Sequence, residues 1–306
     1  MSSVSILRQF GFDIKEEQES IYPFSPIYKV DNFIIKRTQS PLDEAHSLVN
    51  YLNYLNSEGV LIVTPVHLKN GNPLQIGDEC YVCYPFIEGQ DYHATSKEIR
   101  QAGELLGQIH SLSSKDNLYE LKEYDVFDFD HDEVDDHIEK IGQFISFYQV
   151  DINLDYLKEV LHRAVLKQDK FKNASLTWVE TPHDYKANNL IFKDSPVLID
   201  PDNAAWIPRV FDLALALLLF HNEISSAPGR VFTSDEWKLF LEGYNKYQTL
   251  TDTEINLWED TVNHVFMDEV MWLMAEEEGD WERKQQRDLF VSVTSLISNL
   301  KNYSIK

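Results

Sequence analysis

Two short apolar runs joined by a turn signal constrain the fold of this chain more than any other stretch. Residues 189–192 (Asn-Leu-Ile-Phe) and 197–199 (Val-Leu-Ile) are mainly apolar, and Lys-Asp-Ser-Pro lies between them at 193–196. This pattern predicts a β-hairpin, because short apolar runs favour strands and clusters of Asp, Ser and Pro favour turns. Asn189 opens the first strand and Asp200 follows the second, so we expect the hairpin to bring their side chains to the same end.

The polar side chains around this hairpin suit a metal ion and a phosphate chain. Mg²⁺ keeps several waters and takes one or two protein oxygens together with substrate phosphates, and Asn189 and Asp200 offer such oxygens. Asp184 precedes Asn189 by five residues. Protein kinases use the same spacing of a proton-accepting Asp and a metal-binding Asn, with a further Asp on the metal. We therefore expect Asp184 to receive the proton of an attacking hydroxyl, and Asn189 and Asp200 to hold Mg²⁺.

This segment resembles the signature of the aminoglycoside phosphotransferase family, written H-G-D-x-x-x-x-N and followed by I-D. Asp184, Asn189 and Asp200 match the three polar positions of that signature. Two residues depart from it, since Pro182 stands where the family has His and His183 where it has Gly. These departures concern the shape of the loop more than the groups that would do the chemistry.

The resemblance covers most of the chain and implies an α+β, bilobal fold similar to that of protein kinases. A small sheet lobe at residues 1–87 would bind nucleotide, and a larger, mainly helical lobe at 88–306 would carry catalysis and substrate binding. A length of 306 residues allows two lobes, and a hydrophobic content of 43% is ample for a packed core.

The localisation expected from the sequence is cytoplasmic, without a membrane partner. Residues 1–8 lack the charged and apolar regions of a signal peptide. The longest apolar run, at 211–220, contains an Asp and is too short to span a bilayer.

The charge of the chain limits its partners. A formal net charge of −24 argues against nucleic acid, whose phosphates would be repelled. A cationic small molecule would be attracted, although the same charge could serve solubility alone.

The sequence of the N-terminal region predicts two strands and a helix that would hold the nucleotide phosphates. Residues 27–30 and 32–37 indicate two strands, and residues 42–57 an amphipathic helix. The resemblance implies that Lys36 binds the α- and β-phosphates and that Glu44 pairs with Lys36 and orients it. Each residue also has an ordinary interpretation, as a lysine on an edge strand and as an acid that stabilises a helix N-terminus.

The predicted lid and hinge complete the nucleotide site. Residues 20–28 occupy the position of the glycine-rich lid but contain no glycine, and their two prolines remove backbone donors. Residues 61–65 and 80–87 are interpreted as strands, the second of which leads into the hinge between the lobes. The resemblance implies that the Pro85 carbonyl and the Ile87 N–H bind the adenine edge.

Apolar periodicity predicts further helices in the larger lobe, at 97–111, 235–247, 252–277 and 281–303. His110 ends the first of these. We expect it to be structural, because a histidine at a helix end commonly satisfies the last carbonyls.

Three other chemically active residues are also expected to be structural. Cys80 and Cys83 form a C-x-x-C pair, but no second pair completes a zinc site, and residues three apart on a strand face opposite sides. The resemblance implies that Asp212 braces the catalytic loop, and helix capping is its simpler interpretation.

These features favour a Mg²⁺-dependent kinase that moves the γ-phosphoryl group of ATP or GTP to a hydroxyl of a small cationic molecule, such as an aminoglycoside or aminocyclitol antibiotic. A choline, homoserine or methylthioribose kinase is the alternative within the same class. Two hypotheses belong to other classes. The His183-Asp184 pair is compatible with a metal-dependent phosphohydrolase, and the glycine-free lid with a nucleotide-binding module that has no catalytic activity.

Overall fold

An antiparallel sheet forms near the N-terminus in the computed structural model of the protein, which describes residues 1–22 and 25–305. Its four strands follow the order β1-β2-β4-β3, and they are β1 (Ile27–Val30), β2 (Phe33–Thr38), β3 (Leu74–Ile76) and β4 (Glu79–Pro85). Lys36 lies opposite Ile27 on one side and Val82 on the other. It therefore occupies an inner strand, and the interpretation of Lys36 as an edge-strand lysine is wrong.

Two helices accompany this sheet, α1 (Ser3–Gln9) and α2 (Leu42–Ser57). The second has the bounds expected from its apolar stripe, and that stripe is buried. The strand expected at 61–65 does not form, and only Ile62 makes an isolated bridge, to Leu198. Pro65 lacks the N–H that would continue a ladder, so this stretch joins the hairpin through a few backbone hydrogen bonds alone.

Most of the remaining chain is helical. The helices are α3 (Ser96–Leu112), α4 (His131–Tyr148), α5 (Leu154–Val165), α6 (Gln168–Asn173), α7 (Arg209–Leu219), α8 (Ser234–Tyr244), α9 (Asp252–Val265), α10 (Met271–Glu276), α11 (Glu278–Glu282) and α12 (Lys284–Ile297). A π-helical turn at Phe266–Val270 separates α9 from α10 within the helix expected at 252–277. Short 3₁₀ turns lie at Ala187–Asn189 and Leu300–Asn302.

Two small sheets lie among these helices. The first has three strands in the order β5-β9-β6, and the second is a two-stranded hairpin of β7 and β8. Their bounds are β5 (Lys122–Glu123), β6 (Trp178–Thr181), β7 (Leu190–Phe192), β8 (Pro196–Leu198) and β9 (Ala205–Pro208).

The larger hydrophobic core surrounds α7, in which every residue from Arg209 to Leu219 is buried. This core also includes buried residues of α2 and β4, whereas a smaller core packs α1 against residues of β1, β2 and β4. Helices α3 and α8 touch through glycines, and a Cβ at Gly103 would lie only 1.9 Å from the carbonyl oxygen of Phe240.

The expected α+β, bilobal fold is confirmed, and the lobe boundary between residues 87 and 88 stays a prediction. Cys80 and Cys83 are free and buried, as expected. Burial raises the pKa of the Cys83 thiol to about 12. No helix in residues 1–22 and 25–305 combines the length and apolar character needed to cross a membrane.

Candidate active site

The expected hairpin forms and places two of the predicted site residues side by side. β7 and β8 are antiparallel, with Leu190 opposite Leu198. The N–H of Ile199 donates to the carbonyl of Asn189 over 2.9 Å, so Asn189 and Asp200 lie at the same end of the hairpin. Asn189 ends the 3₁₀ turn and does not open the strand as the sequence suggested.

The side chain of Asn189 fixes the loop that carries Asp184. Its Nδ2 donates to the backbone carbonyl of Asp184 over 3.0 Å, and the residue is buried. Its Oδ1 has no hydrogen-bond partner within the described part of the chain. Asn189 therefore positions the Asp184 backbone through its amide nitrogen and still offers an oxygen to a cation.

Asp184 lies in a backbone conformation that few residues adopt. Its φ is 44°, and the φ of His183 before it is 55°. Two successive left-handed residues turn the loop sharply, and such strain is concentrated at functional sites. The Asp184 side chain is 34% exposed. Burial raises the pKa of Asp184, and the nearby Lys186 opposes that rise.

Lys36 pairs with two carboxylates that follow β8. Its ammonium forms an ion pair with Asp200 and lies 3.0 Å from Oδ2 of Asp202. The hydroxyl of Tyr84 donates to the other oxygen of Asp202 over 3.4 Å. Burial acts to lower the pKa of Lys36, but the two carboxylates outweigh it and the pKa is raised.

The predicted pair between Lys36 and Glu44 is wrong for this structure. Glu44 is exposed in the first turn of α2 and forms no ion pair with any described residue. An acid near a helix N-terminus stabilises the helix dipole, and this ordinary role is the one that Glu44 fills. Asp202 takes the place expected of Glu44. The sequence signal for it was present, because the predicted metal ligand Asp200 is followed two residues later by a second carboxylate.

Lys186 is a second residue that the sequence interpretation missed. Its ammonium lies 3.1 Å from Oδ2 of Asp184 and 2.7 Å from Oε2 of Glu223, and the side chain is largely buried. Burial acts to lower the pKa of Lys186, but these two carboxylates raise it above its ordinary value. The sequence did contain a signal for this residue, because Lys186 follows Asp184 by only two residues in the same predicted loop.

Asp212 is a buried carboxylate that joins three segments of the chain. One oxygen, Oδ2, lies 2.9 Å from His110 Nε2 and accepts a hydrogen bond from Thr181 Oγ1 over 3.0 Å. The other, Oδ1, lies 2.8 Å from His183 Nδ1. Burial acts to raise the pKa of Asp212, but the hydrogen bonds from His110 and His183 hold it well below its usual range.

His110 is buried, in agreement with its expected structural role, but the expected partners were wrong. Its Nδ1 lies 2.9 Å from the hydroxyl of Tyr244, and its Nε2 bonds to Asp212. The imidazole thus links α3 to α8 and α7, and it does not satisfy the last carbonyls of its own helix.

His183 lies between Asp212 and a carboxylate of the π-helical turn. Its Nε2 is 3.7 Å from Oε1 of Glu269. Burial acts to lower the pKa of His183, but the hydrogen bond to Asp212 and the nearby carboxylate of Glu269 raise it to about 10. The imidazole is therefore a cation at neutral pH and neutralises the buried Asp212.

The residues expected to form the hinge lie at the end of β4 and just after it. Pro85 ends β4, and the N–H of Ile87 has no hydrogen-bond partner among residues 1–22 and 25–305. Gln90 and Phe192 exchange two backbone hydrogen bonds of 2.8 Å, which tie the expected hinge to the hairpin of β7 and β8. Nucleotide binding by Pro85 and Ile87 stays a prediction.

The expected lid lies partly outside the described residues, since 23 and 24 are not among them. The hydroxyl of Ser20 donates to the carbonyl of Ser25 over 3.0 Å and accepts from the Ile27 N–H over 3.0 Å, which closes the base of the lid. Burial, with the nearby carboxylate of Glu223, raises the pKa of Tyr22. Tyr22, in the first part of the expected lid, therefore lies near Glu223, which is also the partner of Lys186.

The oxygens at the end of the hairpin fit Mg²⁺ better than a metal held by protein alone. No group of three or more His, Cys, Asp or Glu side chains within the described segments could hold a metal ion. Mg²⁺ needs only one or two protein oxygens when substrate phosphates supply others. The free Oδ1 of Asn189 and the carboxylate of Asp200, whose side chain is 41% exposed, meet that requirement.

The chain matches a family of known proteins. Residues 27–254 match the model of a family described as "Phosphotransferase enzyme family". No significant match is found among curated proteins.

Solved structures similar to this chain include a microcompartment-associated aminopropanol kinase, with a TM-score of 0.65, 12% identity and coverage of 99% of this chain and 100% of that one. A spectinomycin phosphotransferase in complex with ADP and spectinomycin gives a TM-score of 0.59 and 18% identity over 97% of this chain and 92% of that one. The choline kinase of Streptococcus pneumoniae gives a TM-score of 0.52 and 15% identity over 90% of this chain and 92% of that one.

The similarities to solved structures show that the fold is shared. The match to the family model also shows to which family the chain belongs. It covers well over half of the chain and includes Lys36, Asp184, Asn189 and Asp200. The expected small-molecule phosphotransferase is confirmed at the level of the family. The chain belongs to the phosphotransferase enzyme family.

Proposed function

We propose that this protein transfers the γ-phosphoryl group of ATP, or of GTP, to a hydroxyl of a small cationic molecule. The observation that carries this proposal is the loop from Asp184 to Asn189. It presents one carboxylate beside the Lys186 ammonium, and it runs directly into the hairpin that ends in Asp200 and the Lys36 pair. A proton acceptor, a cation and the metal-binding oxygens thus belong to one connected segment.

In this mechanism Asp184 accepts the proton of the acceptor hydroxyl while the hydroxyl oxygen attacks the γ-phosphorus. The bond from the γ-phosphorus to the bridging oxygen breaks, and the nucleoside diphosphate leaves with the electron pair. Burial raises the pKa of Asp184 and so makes it a better base. Lys186 stabilises the negative charge of the transferring group, a role that fixed cations fill in phosphoryl transfer.

Lys36 binds the α- and β-phosphates in this proposal, and Asp202 keeps its ammonium in place. Asn189 and Asp200 would hold Mg²⁺, which supplies Lewis-acid stabilisation of the phosphate oxygens when bound. The Pro85 carbonyl and the free Ile87 N–H would receive the adenine edge.

Charge around the loop supports a cationic acceptor. Glu223 and Glu269 are partly exposed and lie next to Lys186 and His183, close to Asp184. Asp268 precedes Glu269 on the π-helical turn. An acidic surrounding favours a positively charged substrate, so an aminoglycoside or aminocyclitol is our leading acceptor class.

A small amino alcohol is the second candidate acceptor. The similarity to the aminopropanol kinase, which extends over 99% of this chain, favours it. Amino alcohols and amino sugars share an ammonium group near a hydroxyl, so the acidic surrounding suits both.

The test is a phosphorylation assay with Mg²⁺ and either ATP or GTP against a panel of candidate acceptors. The panel contains aminoglycosides, spectinomycin, aminopropanol, choline, homoserine and methylthioribose, and mass spectrometry detects a phosphate added to the acceptor. We expect one class of cationic acceptor to be phosphorylated. The phosphorylated product should not form when Mg²⁺ is chelated.

Two results would contradict the proposal. Release of inorganic phosphate without modification of any acceptor would indicate a phosphohydrolase. Nucleotide binding without turnover over the whole panel would indicate a non-catalytic module. The bond from His183 to Asp212 argues against the hydrolase, because it turns the imidazole Nδ1 toward a buried structural carboxylate.

A further inference from the structure

His183 occupies a backbone position that glycine would fill at lower cost. Its φ of 55° lies in the left-handed region, and Asp184 follows with a φ of 44°. Glycine is the default residue in that region because it has no Cβ. Histidine is among the few other residues that are enriched there. The side chain of His183 must therefore contribute something that offsets the strain.

That contribution begins with a contact that glycine could not make. Oδ1 of Asp212 is bonded to His183 Nδ1 over 2.8 Å, whereas His110 and Thr181 both use Oδ2. Asp212 is fully buried on α7, in the centre of the larger core. The imidazole thus connects the first left-handed residue of the loop to α7, a helix that is buried along its whole length.

The opposite side of the imidazole is also held. Nε2 of His183 lies 3.7 Å from Oε1 of Glu269, on the π-helical turn Phe266–Val270. π-helical segments frequently occur at functional sites. Two carboxylates on different helices therefore fix the ring, and the ring fixes the backbone from which Asp184 extends.

We propose that His183 is a positioning residue, which holds Asp184 in its reactive orientation by anchoring the catalytic loop to Asp212. The inference rests on the proposed role of Asp184. It explains why this chain has His183 at the position of the glycine in the H-G-D pattern.

Two substitutions separate the backbone from the side chain. His183→Gly relieves the left-handed strain and removes the bond to Asp212. His183→Asn tolerates the same φ and places an amide nitrogen where the imidazole Nδ1 was, because both atoms are attached to Cγ. Both replacements accept the left-handed φ, so a loss in His183→Gly that His183→Asn recovers is assigned to the side-chain bond with Asp212.

We expect kcat to fall by about 10- to 100-fold in His183→Gly, because a small misplacement of a reacting group slows a reaction to that extent. The KM values for nucleotide and acceptor should change by less than about threefold. His183→Asn should recover kcat to within about threefold of the wild type. Amide hydrogen exchange over residues 181–189 should be faster in His183→Gly and restored in His183→Asn. The exchange measurement does not need catalysis, so it tests the anchor directly.

The inference is wrong if His183→Gly keeps the wild-type kcat, or if His183→Asn is as slow as His183→Gly. Unchanged exchange in His183→Gly would equally overturn it. If the wild type phosphorylates no acceptor, the proposed function fails instead, and the exchange result still decides whether His183 anchors the loop.

Discussion

Lys36 Nζ lies 3.0 Å from Oδ2 of Asp202, a carboxylate whose side chain is only 13% exposed. The lysine that is expected to bind phosphates is thus oriented by the segment after the hairpin of β7 and β8, and not by helix α2. Asp200 shares the same ammonium but is more exposed. Asp202 can therefore keep Lys36 in place if Asp200 binds a metal ion, as proposed.

The first prediction follows from this pair. Asp202→Asn should lower kcat/KM for the nucleotide by about tenfold or more, which corresponds to at least about 1.4 kcal/mol, because Lys36 loses its buried partner. Glu44→Gln is the matched control and should stay within about twofold of the wild type, since Glu44 pairs with no described residue. Steady-state kinetics with varied nucleotide measures both. Equal losses in the two variants would mean that α2 supplies the partner once nucleotide binds.

The second prediction concerns the charge of His183. Asp212 and Glu269 outweigh the effect of burial and raise the pKa of His183 to about 10, above the value near 6.5 of an unfolded histidine. The resulting stabilisation is complete below about pH 6.5 and is lost as pH rises toward 10, by up to about 1.4 kcal/mol per pH unit. We expect the difference in unfolding free energy between the wild type and His183→Asn to narrow from about pH 7 to about pH 9. Urea unfolding at several pH values measures it, and a constant difference would contradict it.

The third prediction concerns two histidines that are buried as neutral groups. Burial lowers the pKa of His221 and of His264 to about 4. Between about pH 6.5 and pH 4 the unfolded chain binds protons that the folded chain does not, so stability falls as pH falls, by up to about 1.4 kcal/mol per pH unit for each histidine. Imidazole resonances followed by NMR should show both residues neutral at about pH 5.5. Titration of either near pH 6.5 would show that it is not buried as described.

The fourth prediction tests the contact between α3 and α8. A Cβ at Gly103 would lie 1.9 Å from a backbone oxygen of Phe240, which cannot move without its helix. Gly103→Ala should therefore destabilise the protein by about 1–3 kcal/mol or more. Gly279 in α11 has open space around it, so Gly279→Ala should leave stability unchanged or raise it by up to about 1 kcal/mol. Denaturant unfolding compares them, and similar effects would contradict the close approach of the helices.

Local patterns in the sequence predicted most of the fold. Helix α2 and the hairpin of β7 and β8 follow from apolar periodicity and turn residues within a few positions of each other. The position of Lys36 on a strand and of Asp184 in a loop follows in the same way. Such patterns depend only on neighbours in the chain, and this is why they can be recognised without the structure.

The partners of these residues could not be predicted as well, because they come from distant segments. Lys36 and Asp200 are 164 residues apart in the sequence, and Glu44 was expected as the partner because the family resemblance implied it. His110 was assigned to the last carbonyls of its own helix because histidines at helix ends commonly bond there, although it bonds to Asp212. The π-helical turn at 266–270 has no pattern that distinguishes it from the helices on either side.

The most direct test of the account is the rate of acceptor phosphorylation by Asp184→Asn, measured together with its nucleotide dissociation constant. Asp194→Asn, an exposed change in the turn between β7 and β8, is the control. We expect kcat of Asp184→Asn to fall by about 10²- to 10⁴-fold, the usual contribution of a general base. Nucleotide binding should be almost unchanged, and Asp194→Asn should behave as the wild type. A near-normal rate in Asp184→Asn would remove Asp184 from its catalytic role and contradict the proposed mechanism.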